Sequence, residues 1–129
     1  QVLVQAFLLT SRKIAASLIA AHRRGVDVRV LADARQHAEN AGSLLATLAQ
    51  AGIPVGLEGR YRHAHNKVMV IDAAGDSPVL VTGSYNYTWS AQKMNAENLL
   101  IMRGNAALAE RYAGNWLRHQ ADAVPLAPR

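Results

Sequence analysis

A chain of 129 residues suits one domain around one core and leaves little room for a second. Its 14 Lys and Arg against 9 Asp and Glu leave +5, and a pI near 10.1 favours polyanionic partners such as nucleic acid or anionic lipid. The absence of cysteine excludes disulfide scaffolds, thiolate metal sites, cysteine nucleophiles and thiol redox switches. The uncharged stretch Gln1 to Ser11 is too short for a membrane span and lacks the basic lead and cleavage site of a signal peptide.

Residues 2 to 9, VLVQAFLL, read as a strand apolar on both faces, the pattern of a strand in the middle of a sheet. Thr10 and Ser11 are helix caps, Ile14, Leu18 and Ala21 keep helical spacing, and Gly25 is the stop. A strand with alternating Val26, Val28 and Val30 follows, then a solvent-facing polar loop through Asp33, Arg35, Gln36 and His37. The spacing of Leu44, Leu45 and Leu48 predicts a helix over 39–51, ended by Gly52, and IPVGL is a short strand whose Pro marks an edge or a strand start. NKVMVID, the turn AAGDSP and VLVTGS form a hairpin. A loop over 85–95, a strand ENLLIM and an amphipathic helix over 105–119 follow. The order β-α-β-α-β-β-β-β-α argues an α/β sandwich with a mixed sheet, one domain over 1–120, and a frayed tail over 121–129.

Chemistry concentrates in RYRHAHNKVMVID. Side chains alternate across a strand, so His63, His65 and Lys67 share one face, while Asp72 lies at the opposite parity and suits a hairpin anchor. The partner strand ends in GSYN, where Ser84 and Asn86 share a parity and can meet His65 and Lys67 at the strand ends. A cation, an amide and a hydroxyl around one imidazole supply the charge, donors and nucleophile of a phosphate site, and no metal cage or other cofactor is needed.

These residues carry a resemblance. The pattern H-x-K-x4-D at His65, Lys67 and Asp72, followed by G-S-x-N at Gly83, Ser84 and Asn86, resembles the signature of the phospholipase D superfamily. GSYNYTWSAQKMNAENLLIM with Glu97, and the segments RRGVDVRVLAD and LAQAGIPV, are similar to its small bacterial endonuclease branch, which has one motif per chain. The resemblance runs from about residue 1 to 120 and implies a mixed sheet flanked by helices on both faces. Two departures stand out. Ten residues, Ala73 to Thr82, separate the motif's Asp from the Gly, a longer gap than the family's, which a surface turn would absorb. Members also have a strand and a helix before the segment matching VLVQAFLL, so this chain is expected to be a fragment or to have a sheet one edge strand short.

The resemblance implies a mechanism. The motif's His65 attacks phosphorus to form a phosphohistidine, a second motif His protonates the leaving oxygen, and water releases the product. One motif per chain then demands a homodimer with a shared active site. Lys67, Asn86 and Ser84 would hold the phosphate oxygens, Glu97 would hydrogen-bond His65, and Asp72 and Gly83 would be structural. The expected activity is a metal-independent, non-specific endonuclease acting on DNA or RNA. The alternatives are phospholipid hydrolysis at the same site and a catalytically idle nucleic-acid-binding module. Small bacterial relatives are secreted to the periplasm, and any leader would lie upstream of Gln1; without one the protein is cytoplasmic.

Other residues have blander readings. Arg60 and Arg62 are solvated loop charges or backbone-phosphate contacts beside the site, and His63 lines a basic groove or sits in solvent. A His63–His65 metal clip with Asp72 or Glu97 as third ligand is the weaker reading. Tyr85, Tyr87 and Trp89 alternate, so they stack on substrate bases or, for at least two of them, pack in the core. Arg12 and Lys13 are solvated helix-end charges, and His22, His37 and His119 receive no role.

Overall fold

The computed structural model describes residues 1–128. In chain order the elements are β1 (Val2–Ala6), α1 (Arg12–Arg23), β2 (Val28–Asp33), α2 (Ala34–Glu39), α3 (Leu45–Gln50), β3 (Val55–Glu58), β4 (Val68–Ile71) and β5 (Val79–Gly83). They are followed by α4 (Trp89–Lys93), β6 (Leu99–Arg103), α5 (Ala106–Asp122) and β7 (Val124–Pro125). The strands form one seven-stranded sheet in the order β6-β5-β4-β1-β2-β3-β7. β1, β2 and β3 run parallel, and β4 joins β1 antiparallel, with Val4 opposite Met69 and Gln5 opposite Val68. β5 and β6 continue antiparallel.

The central position of β1 explains its two-sided apolar pattern. Val4 and Ala6 face one layer with Ala15 and Leu18 of α1 and Leu45, Leu48 and Ala49 of α3. Leu3 faces the other, with Leu31, Val70, Leu80 and Ala109 and Trp116 of α5. Trp116 is 1% exposed, and its indole N–H donates to the Val4 carbonyl at 2.9 Å, pinning α5 across the middle of the sheet.

The structure shortens or replaces four expected elements. The polar loop after β2 is helical, because the buried Asp33 carboxylate accepts from the Gln36 amide at 2.9 Å and caps α2. The helix expected over 39–51 contracts to α3, because the Asn40 side chain accepts from the Gly42 amide and folds the chain into a turn. The loop over 85–95 contains α4, capped by the Thr88 hydroxyl accepting from the Ala91 amide. The tail does not fray directly after α5: β7 pairs with β3, and the Leu126 amide donates to the Val55 carbonyl at 2.8 Å. Arg129, the last residue of that tail, lies outside the described residues.

The extra length between Asp72 and Gly83 is taken up by a turn exposed over 74–77, as a surface insertion would be. β6 is an edge strand on which Leu99, Leu100 and Ile101 are each about half exposed, at 47%, 53% and 50%. Removing the pin across β1 should be costly. Trp116→Ala is expected to lower the unfolding free energy by about 3–5 kcal/mol, read from urea denaturation followed by circular dichroism.

Candidate active site

The sheet topology gathers the carboxyl ends of β1, β2, β3 and β5 with the amino ends of β4 and β6 along one edge, the place where open α/β sheets bind ligands. Phe7 follows β1, Asp33 ends β2, Lys67 immediately precedes β4, and Ser84 follows β5.

Residues 59–67 form no regular strand, so the alternation expected there does not operate. A buried carboxylate does the positioning. Asp33 is 1% exposed, and the oxygen not used to cap α2 accepts from the Ala64 amide at 2.7 Å, so Ala64 is fixed at the end of β2 with His63 and His65 on either side. Both imidazoles lie against Phe7, with His65 at 4.4 Å between ring centroids and His63 edge-on at 6.0 Å. Lys67 is 6% exposed, and its ammonium sits 5.4 Å from the Phe7 centroid. That ammonium donates to His65 Nδ1 at 2.8 Å and lies 3.3 Å from Nε2.

An ammonium can only donate, so the imidazole nitrogen facing it must offer a lone pair, and His65 is neutral in this arrangement. Desolvation, the Lys67 charge and His63 all push the His65 pKa below its ordinary value, against a weaker opposing pull from Asp33. Burial lowers the Lys67 pKa, and the Glu97 carboxylate opposes it.

The second half of the site hangs on β5 and β6. Ser84 exchanges hydrogen bonds with Asn98: its amide donates to the Asn98 carbonyl and its hydroxyl accepts from the Asn98 amide, both at 3.1 Å. The same hydroxyl donates to Glu97, which also accepts from the Asn95 amide group at 3.2 Å. Gly83 makes this closeness possible, since a Cβ there would lie 2.3 Å from the Asn98 carbonyl oxygen. Asn86 keeps its side-chain oxygen buried without a partner.

The profile of the family described as "Cardiolipin synthase, PLD-like domain" matches residues 1–118. The chain belongs to the phospholipase D-like family. It is 41% identical over 118 residues to a phospholipase D of Rickettsia felis, covering 92% of this chain and 56% of that protein. It is 38% identical over 96 residues to the mitochondrial cardiolipin hydrolase of Mus musculus, covering 74% of this chain and 41% of that one. It superposes on Nuc, a phospholipase D family member from Salmonella typhimurium, with a TM-score of 0.90 at 28% identity, covering 98% of this chain and 81% of that one. The chain thus spans about half the length of the curated relatives it matches.

In this phospholipase D-like domain the expected residues fall into three groups. His65 and Lys67 are in contact, and Ser84 and Glu97 are in contact. Glu97 does not hydrogen-bond His65 within the chain: its partners are Ser84 and Asn95, and His65 is bonded to Lys67. Asp72, at φ 51°, accepts from the Gln1 amino group at 2.7 Å, and its carbonyl accepts from the Gly75 amide, an anchor at the hairpin turn.

The flanking candidates are distributed differently. Arg60 pairs with Asp122 at the end of α5, and this contact raises its pKa. Arg62 is exposed beside it, and the Tyr85 hydroxyl donates to Gln92. Asp72 and Glu97 are thus both engaged elsewhere than at the His63–His65 pair, and among the described residues no three His, Asp or Glu converge as a metal cage.

Three contributors escape a reading of the motif alone. Phe7 follows a buried strand and Asp33 ends one, and Asp33 reads as loop because it is followed by three polar residues in five. His119 pairs with the buried Glu58 at 2.5 Å and lies 5.5 Å from the Tyr61 ring, a contact across 61 residues that no local pattern announces.

The charge of Lys67 can be read directly at its neighbour. In a proton NMR titration His65 is expected to titrate below the ordinary 6.5, and Lys67→Met is expected to move its midpoint upward, because the cation that opposes protonation is gone. A midpoint unchanged by that substitution would contradict the contact.

Proposed function

We propose that this domain is a metal-independent phosphodiesterase that cuts nucleic acid endonucleolytically through a covalent intermediate on His65. The observation that carries the reading is the 2.8 Å contact between the buried Lys67 ammonium and the neutral His65 ring. A neutral imidazole is a nucleophile, and a cation beside it attracts a diester and stabilises charge on the phosphoryl oxygens. The anionic diester takes over the ammonium hydrogen bond and frees the imidazole lone pair. That lone pair attacks phosphorus, an N–P bond forms, and the P–O bond to the leaving group breaks. Water then attacks the same phosphorus, the P–N bond breaks, and His65 is restored.

The leaving oxygen needs a proton, and a second imidazole is the group suited to supply it. Each chain has one such motif, and His65 stands at an exposed surface, which supports a homodimer with two copies of His65 in one shared site. Lys67, Asn86 and Ser84 would hold the phosphate oxygens, and Glu97, bonded to the Ser84 hydroxyl, would orient it. The net charge of +5 supports a polyanionic substrate. A second reading, phospholipid hydrolysis at the same residues, draws support from relatives named phospholipase D and cardiolipin hydrolase.

The test is incubation with supercoiled plasmid and a single-stranded oligonucleotide in excess chelator. Parent protein is expected to cut both, and His65→Ala to lose at least about a thousandfold in rate while keeping its circular dichroism spectrum. When His65→Ala chains are refolded together with parent chains, activity per parent chain is expected to fall, because mixed dimers hold one imidazole. Cleavage of cardiolipin vesicles with no cleavage of either nucleic acid would favour the second reading.

A further inference from the structure

Beside the catalytic edge lies a second, larger depression. It encloses about 700 Å³ between the start of α1 and α4, and Arg12, Lys13, Tyr85, Trp89, Gln92 and Lys93 contribute to its walls. The two walls are tied together: the Tyr87 carbonyl accepts from the amides of Thr10 and Ser11, both at 2.9 Å, and the Tyr85 hydroxyl donates to Gln92. No Asp or Glu lines it. Arg12, Lys13 and Lys93 are exposed and form no ion pair among the described residues.

The aromatic residues of this region divide cleanly. Tyr87 is 3% exposed and belongs to the core, and Tyr85 packs against that core. Trp89 is 64% exposed, whereas the other tryptophan, Trp116, is 1% exposed. A large aromatic left in solvent on the wall of a cationic groove offers its ring face to a ligand. Tyr85 stands between Ser84 and Asn86 in sequence, so one wall of the groove starts on the same loop as the candidate phosphate-binding residues.

We propose that this groove is the track for a single strand of nucleic acid leaving the scissile phosphate, with a base stacked on Trp89 and flanking phosphates met by Arg12, Lys13 and Lys93. The proposal rests on the nuclease reading and deepens it to strand preference. Charge complementarity selects a polyanion. The exposed indole selects one that can turn a base face outward, which a single strand does and a stacked duplex does not. A bilayer would meet an aromatic projecting from the surface, and here Trp89 lines a concavity.

The test compares Trp89→Ala and Lys93→Glu with the parent, on a labelled single-stranded oligonucleotide, the same sequence as a duplex, cardiolipin-containing vesicles and bis(p-nitrophenyl) phosphate. None of these substitutions touches the groups placed around the phosphate. Trp89→Ala is expected to weaken single-strand binding and raise its KM about tenfold, with a smaller effect on duplex. Lys93→Glu is expected to weaken binding comparably and to flatten its dependence on salt. Turnover of bis(p-nitrophenyl) phosphate, too small to reach the groove, is expected to stay at the parent level in both.

Single strands bound and cut by both variants as by the parent would overturn the groove while leaving the nuclease reading in place. A parent that turns over the small diester but neither binds nor cuts oligonucleotides would overturn both. Loss of vesicle binding without loss of oligonucleotide binding would assign the groove to lipid and overturn the proposal.

Discussion

A lysine ammonium withdrawn to 6% exposure keeps its charge only if its surroundings replace the water it has lost. Lys67 finds an imidazole lone pair at 2.8 Å and an aromatic face at 5.4 Å, with the Glu97 carboxylate acting from further away. No carboxylate forms an ion pair with it among the described residues. The cation therefore retains a strong attraction for an anion at the surface where His65 is exposed, and a phosphate diester has the charge and the acceptor oxygens to meet it. The same cation disfavours a proton on His65. In the proposed mechanism, one partly compensated charge would set both the affinity for phosphate and the protonation state of the nucleophile.

The fold brings that lysine and that histidine to the mouth of a sheet. Three parallel strands open their carboxyl ends to one side, and the antiparallel entry of β4 beside β1 returns the chain so that its motif begins there. Two devices remove the remaining freedom. The buried Asp33 holds Ala64 between the two histidines, and Gly83 lets β5 and β6 approach until Ser84 and Asn98 exchange hydrogen bonds. Neither group need touch substrate, yet each fixes one half of the site.

The motif is legible in the sequence because its chemistry is local. His65 and Lys67 are two residues apart, Gly83, Ser84 and Asn86 lie within four, and hairpin logic joins the two sets. The layers are legible for a similar reason, since the two-sided apolar run of β1 can only be satisfied in the middle of a sheet. What escapes is set by long-range contact. Asp33 looks like a loop residue until its partner 31 positions away is known, and Glu58 and His119 meet across 61 positions. The antiparallel addition of β7 to β3 likewise depends on where α5 ends rather than on any pattern in VP. Trp89 is the reverse case: a local rule that aromatics are buried holds for Tyr87 and fails for it, because the short α4 turns the indole outward into the basic groove.

The central claim is that His65 itself bonds to phosphorus. The direct measurement is to mix parent protein with an oligonucleotide, quench within the first turnover in alkaline denaturant, where a phosphoramidate survives, and analyse the peptides by mass spectrometry. The account predicts a nucleotide adduct on His65 that forms before free product, decays as product appears and is lost on acid treatment. Product accumulating through the first turnover with His65 unmodified throughout would contradict it.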